Sequence, residues 1–262
     1  MKKEPLKLLT IGGSDSGGAA GIQADLKTWT KLGAYGMSAI TLVTAQNSEK
    51  ISSTVKLAIP MVYGQIEAVL LDYGAAAIKT GMLGRVDLIN AITPILRTQE
   101  VVVVDPVLVR YTGEPLFGED VAEAYRSQLF PIGTIITPNW REAALLSGVP
   151  ITGTDDIVTA ANTLYQMGAK NVIITGWLQE EWVLDVLFDG ETMIHLRHKR
   201  IDTTNTHGSG DTFSAALTYW LGHGRTLRQS VEHAQQFTAN ALKKGMKWDI
   251  CMGHGPLSHI RF

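Results

Sequence analysis

A single cysteine, Cys251, in 262 residues leaves no intramolecular disulfide framework, which suits a reducing compartment. No apolar run approaches the roughly 18–20 residues that a membrane-spanning helix needs. The opening segment MKKEPLKLLTIGGSDS carries two lysines and a short apolar stretch, but Glu4, Pro5 and Lys7 interrupt it. The apolar stretch of about 7–15 residues that marks a secretory signal is therefore missing. Charge of one sign is also lacking: 23 Lys plus Arg against 25 Asp plus Glu give a formal net charge of −2, with no long basic run. Without that electrostatic footprint neither a nucleic acid nor a membrane surface is expected as a partner. These absences predict a soluble cytoplasmic protein and say nothing yet of activity.

What is present is apolar. Hydrophobic residues make up 45% and charged residues 18% of the chain, which excludes intrinsic disorder. A chain of this length buries about three quarters of its unfolded surface, enough for one sizeable core. Short apolar runs alternate with segments of helical period. Strands are predicted at Leu6–Ile11, Met37–Val43, Ala76–Lys79, Val101–Val104, Thr134–Ile136 and Val172–Ile174. Helices are predicted at Ile22–Leu32, from Pro60 onward, at Val86–Leu96, Val121–Leu129, near Asn139, and at Ile157–Met167, Ser209–Leu221 and Leu227–Leu242. The four consecutive valines suit a strand buried on both faces. Trp182–Leu187 and Thr192–Leu196 flank Asp189-Gly190, the strongest local hairpin signal in the chain. Strand–helix alternation predicts βαβ units in a mostly parallel sheet with an antiparallel edge hairpin. No linker, charge block or repeat divides the chain, so residues 1–262 are predicted to form a single domain.

Two glycine-rich loops stand where a strand hands over to a helix, the edge at which open α/β sheets bind ligands. The first runs from Gly12 to Gly21 and matches neither of the common nucleotide-binding glycine patterns. It reads equally as a flexible turn or as a site where backbone approaches a ligand closely. The second, Thr206-His207-Gly208-Ser209-Gly210-Asp211-Thr212, opens an apolar helix. Free N–H groups and the helix dipole make such a start an anion hole. An aspartate there would repel a phosphate, but fits a base taking a proton from a hydroxyl beside the hole. The alternative is a plain first-turn acid. Asp105 and Glu142 follow predicted strands and could hold Mg²⁺ directly or through waters; taken singly, each also fits a helix-start acid. Cys251, His254 and His259 have a spacing conceivable for zinc, without a second cysteine pair to support it.

These segments, in this order, resemble the hydroxymethylpyrimidine/phosphomethylpyrimidine kinases of thiamine biosynthesis, in the ribokinase-like superfamily. The matching stretches are Gly13-Ser14-Asp15-Ser16-Gly17-Gly18, Ala20 through Thr28, Thr44-Ala45-Gln46-Asn47 and Lys79-Thr80-Gly81-Met82-Leu83. Asp105-Pro106-Val107, Thr137-Pro138-Asn139 with Glu142-Ala143, and Asn205-Thr206-His207-Gly208 follow. The resemblance implies a three-layer α/β/α sandwich and ATP-dependent phosphorylation of a pyrimidine alcohol, then of its monophosphate. It implies Asp15, Ala20, Gln46, Met82 and Val107 around the pyrimidine, with Gln46 pairing the aminopyrimidine edge through both halves of its amide. Asp105 and Glu142 would organise Mg²⁺ and phosphates. Asn139, Thr175, Gly176, Gly208 and Gly210 would contact ATP, and Gly208, Ser209 and Gly210 would form the anion hole. A homodimer is implied in the same way.

Four positions depart from the family pattern. Its Gly-Thr-Gly-Cys-Thr is here Gly208-Ser209-Gly210-Asp211-Thr212, and its Lys-Gly-Gly-His is Thr175-Gly176-Trp177-Leu178. Its Lys-Ser-Gly becomes Tyr111-Thr112-Gly113, and Ala19 replaces a glycine. Aspartate at position 211 is the rule in the superfamily's sugar and pyridoxal kinases, where it is the general base, so Asp211 is expected to deprotonate the hydroxymethyl oxygen. Two alternatives stay open: a pyridoxal (vitamin B6) kinase, favoured by Asp211 and Thr175-Gly176, and a non-catalytic pyrimidine-binding regulatory protein, favoured by the lost lysine and cysteine.

Overall fold

The computed structural model describes residues 4–110 and 112–260; Tyr111, one of the family departures, lies outside them. In chain order the first elements are β1 (Lys7–Asp15), α1 (Gly21–Leu32), β2 (Tyr35–Gln46), β3 (Ile51–Lys56), α2 (Ile59–Asp72), β4 (Ala77–Thr80) and α3 (Val86–Leu96). Next come β5 (Val102–Val104), α4 (Glu119–Ala124), β6 (Ile135–Ile136), α5 (Trp140–Ser147) and α6 (Thr154–Gln166). The last are β7 (Val172–Gln179), β8 (Trp182–Phe188), β9 (Met193–Lys199), α7 (Ser209–Gly222) and α8 (Leu227–Gly245). The chain divides into two compact units, one running to Leu83 and resuming at Ile201, the other spanning Gly84–Arg200. Among the described residues no helix is long and apolar enough to cross a membrane.

In the first unit the strand order is β3-β2-β1-β4. β1 pairs in parallel with β2 and with β4, and β3 runs antiparallel to β2. β1 is longer than its apolar run suggests. Pairing with β2 continues through Ser14 and Asp15 after a register break at Gly12–Ser14, so the glycines extend the strand instead of ending it. β3 has no counterpart in the sequence reading. Five of its six residues are exposed, and an edge strand held by backbone hydrogen bonds needs no apolar alternation. α1 places Ile22, Asp25 and Trp29 on its buried face and ends at Gly33 with φ +85°, the left-handed cap that glycine adopts without strain. Trp29 is fully buried, and its indole N–H donates to Ala215 O at 2.8 Å, which ties α1 to α7.

In the second unit β5, β6 and β7 are parallel, and β8 and β9 follow antiparallel. The Asp189-Gly190 hairpin forms between β8 and β9. Asp189 Oδ1 accepts from the N–H groups of Glu191 and Thr192, and Gly190 has φ +92°, as an Asx-type turn requires. Pro94 lies inside α3, which continues to Leu96. The helix predicted at Val121–Leu129 starts at Glu119 as α4 and continues as a π-helical turn over Tyr125–Leu129.

The C-terminal segment returns to the first unit. Ser258 N–H donates to Ala241 O, and His259 Nε2 meets the Thr212 hydroxyl at 2.9 Å. Burial, aided by the charges of Lys27 and Lys31, pushes the His259 imidazole down from 6.5 to about 4. The unfolded chain therefore binds this proton more readily than the folded one, and stability present above pH 6.5 is lost as pH falls towards 4. At about 1.4 kcal/mol per pKa unit the loss is on the order of 3 kcal/mol. Urea unfolding at the two ends of that window should show the loss in wild type, and a shallower one in His259→Gln.

Candidate active site

The first glycine loop is built around Asp15, at the end of β1. Its carboxylate accepts from the N–H groups of Gly17 (2.8 Å), Ala19 (3.0 Å) and Ala20 (2.9 Å). Burial acts to raise its pKa, but His207, whose Nε2 is 3.7 Å from Oδ2, and these N–H groups together hold it below the usual carboxylate value. Asp15 is thus an anchor that gathers the loop, with both oxygens already engaged.

The second loop closes against the first. Gly208 precedes α7 with φ +82°, and a Cβ on it would stand 1.8 Å from Ala19 O and 3.2 Å from Ala20 Cα. Only glycine allows that approach. The Ser209 N–H donates to Thr206 O at 3.1 Å, so it is already engaged within the turn. Of the three residues expected to form the anion hole, Gly208 and Gly210 keep N–H groups outside the turn's own bonds, and Asp211 adds a further first-turn donor. The Asp211 side chain is 15% exposed, and its Oδ1 lies 3.0 Å from Lys79 Nζ.

Gln46 ends β2 beside a cavity of about 340 Å³, a size that suits a small-molecule ligand. Asp15, Gly17, Ala19, Gln46 and His207 line it together with residues 250–252, His254 and Pro256. Gln46 Oε1 takes the Thr44 hydroxyl at 3.2 Å, and its Nε2 lies 3.2 Å from His207 Nε2. The side-chain amide thus sits between the Thr44 hydroxyl and the His207 ring, and a ligand in the cavity would exchange these two contacts. Ala20 and Met82 are outside this cavity's walls. Met82 packs at Gly13 and accepts the Thr41 hydroxyl through its carbonyl. A larger hollow of about 410 Å³ lies at the other ends of β1 and β4, by Leu6, Lys7 and Ala76, and holds none of these residues.

The remaining expected residues belong to the second unit. Asp105 and Glu142 are both buried. Glu142 belongs to a capping box: Asn139 Oδ1 accepts from the N–H groups of Arg141 and Glu142, while Glu142 Oε2 accepts from Asn139 N–H. Its Oε1 accepts from Leu108 N–H at 3.1 Å, next to Val107. Burial, with the charge of Asp105 added, raises Glu142 well above the usual carboxylate range. Two buried carboxylates repelling each other form a hard-oxygen donor set that a divalent cation would relieve, so the residues fit Mg²⁺. Thr175 N–H donates to Pro138 O at 3.0 Å, and Gly176 N–H donates to Asp185 Oδ1 at 2.7 Å. The N–H of Gly176, a residue expected to contact ATP, is held by Asp185. Gly176 has φ +80°, and Trp177, the family's second departure here, packs edge-on against Trp140 at 5.2 Å.

Four contributions escaped the sequence reading. The segment from Ile250 to His254 forms a cavity wall, His207 is the partner of Gln46, Asp185 holds Gly176, and Lys79 joins Asp25 to Asp211. Only the last left a signal: a lysine in the apolar run before Thr80, and an aspartate on the same helical stripe as Ile22 and Trp29.

The phosphomethylpyrimidine kinase family model matches residues 15–258. A hydroxymethylpyrimidine/phosphomethylpyrimidine kinase of Bacillus subtilis is 41% identical over 260 residues, covering 98% of this chain and 95% of the relative. Among solved structures, an ADP complex of Bacillus subtilis pyridoxal kinase superposes with a TM-score of 0.90 at 39% identity, covering 98% of both chains. A phosphomethylpyrimidine kinase from Clostridium difficile superposes with a TM-score of 0.81 at 33% identity, covering 90% of this chain and 99% of the other. The fold is the ribokinase-like one, a mostly parallel sheet with antiparallel strands and helices on both sides. The chain is a phosphotransferase and belongs to the phosphomethylpyrimidine kinase family.

Proposed function

We propose that the protein transfers the γ-phosphoryl group of ATP to the hydroxyl of 4-amino-5-hydroxymethyl-2-methylpyrimidine, and then phosphorylates the monophosphate, with Asp211 as general base. The observation that carries the transfer chemistry is Asp211, a partly exposed carboxylate in the first turn of α7 next to N–H groups at Gly210 and Asp211, while the retained Ala45-Gln46-Asn47 favours the pyrimidine as acceptor. The alcohol oxygen attacks the γ-phosphorus and its proton passes to Asp211. The bond to the β–γ bridging oxygen breaks and ADP leaves. First-turn N–H groups at Gly210 and Asp211 stabilise the charge on the transferring group. Gln46 pairs the aminopyrimidine edge in exchange for Thr44 and His207, while Asp15 keeps the loop closed.

Asp105 and Glu142 would hold Mg²⁺, through waters where Glu142 keeps its backbone bonds, and Asn139, Thr175 and Gly176 would serve the nucleotide. When bound, the ion neutralises phosphate charge. With the family lysine replaced at Thr175, that neutralisation rests on the cation and on backbone N–H groups. The reading takes residues 1–262 as one catalytic domain, cytoplasmic and homodimeric, whose partner is the small alcohol or its phosphate.

A second reading, a pyridoxal kinase, is favoured by Asp211 and by the closer superposition on the pyridoxal kinase than on the phosphomethylpyrimidine kinase. A coupled ADP-release assay with each alcohol decides between the two. The pyrimidine reading expects at least about tenfold higher kcat/KM for the pyrimidine, about 1.4 kcal/mol in the transition state. Preferential turnover of pyridoxal would overturn it.

A further inference from the structure

Lys79 has no part in the chemistry just described, yet its side chain is fully buried in the middle of a four-residue strand with no exposed member. Its Nζ lies 2.5 Å from Asp25 Oδ1 and 3.0 Å from Asp211 Oδ1. Asp25 is buried too, and its Oδ2 accepts the Thr10 hydroxyl at 2.6 Å. Four elements meet in this chain of contacts: β1 through Thr10, α1 through Asp25, β4 through Lys79 and α7 through Asp211. A buried ammonium needs a carboxylate partner, and Asp25 alone meets that need. The contact to Asp211 goes further. It reaches from the core to a carboxylate at the surface of the site and engages one of its two oxygens.

We propose that Lys79, anchored by Asp25, is a positioning residue for Asp211. It holds Oδ1, so that Oδ2 faces the substrate hydroxyl in a single orientation. Without it the aspartate rotates freely about two torsions at the start of α7. The proposal rests on Asp211 being the base, and misplacing a base lowers turnover without loosening substrate. The lysine and Asp25 lie in stretches shared with the family, whereas the aspartate at 211 is a departure from it.

Lys79→Met removes the ammonium and keeps the chain length. Because it leaves Asp25 buried without its cation, Lys79→Met/Asp25→Asn, in which both partners are neutral, is measured beside it. Both should lose about 10–50-fold in kcat, with KM for alcohol and ATP held within about threefold. In an Asp211→Asn background the same substitutions should cost less than about twofold, since there is no longer a base to position. Unchanged kcat in a folded variant, a loss confined to KM, or an equal cost in the Asp211→Asn background would each overturn the positioning role. An Asp211→Asn enzyme as active as wild type would instead overturn the base assignment, and the role of Lys79 with it. Should neither Met variant fold, Lys79→Leu/Asp25→Asn, again neutral at both positions, is read for the same split, and wild-type kcat there overturns the proposal.

Discussion

Asp211→Asn is expected to lower kcat by about 10²–10⁴ while leaving substrate affinity nearly unchanged, the range that loss of a general base produces. The substitution is isosteric, and the amide oxygen can still accept from Lys79 Nζ, now 3.0 Å from Oδ1. The first turn of α7 and its N–H groups are undisturbed, so residual activity should persist from positioning and charge stabilisation alone. Steady-state kinetics with saturating ATP check this. Turnover within about threefold of wild type would show that the hydroxyl needs no base at this position.

Gly208→Ala should be nearly as damaging by a different route. Its φ of +82° lies in the left-handed region, and the added Cβ would stand 1.8 Å from Ala19 O. The conformation costs an L-residue roughly 1–2 kcal/mol, and relief of an overlap of this kind adds about 1–3 kcal/mol. Neither neighbour yields cheaply. Ala19 is held by its N–H bond to Asp15, and Thr212 N–H bonds to Gly208 O at 2.9 Å. The expected result is a loss of about 2–5 kcal/mol in urea unfolding and a drop in kcat of at least about 100-fold as the base shifts with its helix. Wild-type stability would mean that the two loops are not packed as described.

The difference between what the chain announces and what it hides follows from how each feature is stabilised. The central strands were legible because Val102–Val104 and Val172–Ile174 are buried and apolar. The hairpin was legible because Asp189-Gly190 has the chemistry of its turn. β3 was not, since an exposed edge strand carries no period. The position of Asp211 at a helix start was readable from glycine spacing alone. Its tie to Lys79 was not, because 132 residues separate the two and only the pairing of β1 with β4 and the packing of α7 bring them together. Gln46 was identified, whereas its bond to His207, 161 residues away, depends on the turn before α7. Asp15 was expected against substrate; the loop that folds around it engages its oxygens first. Asp25 illustrates the cost of such burial. Desolvation, with the charge of Asp211 added, acts to raise its pKa, and the charge of Lys79 opposes that shift. A charged residue placed on the apolar stripe of α1 was the one visible sign of it.

The most direct test is to identify the product. The purified protein is incubated with Mg²⁺, ATP and the aminopyrimidine alcohol, and the mixture is followed by phosphorus-detected NMR correlated to the substrate's methylene protons. The account predicts a phosphate ester on the hydroxymethyl oxygen, first the monophosphate and then the diphosphate, with one ADP formed per phosphoryl group transferred. ATP left intact, or phosphate released to water with the alcohol unchanged, would contradict it.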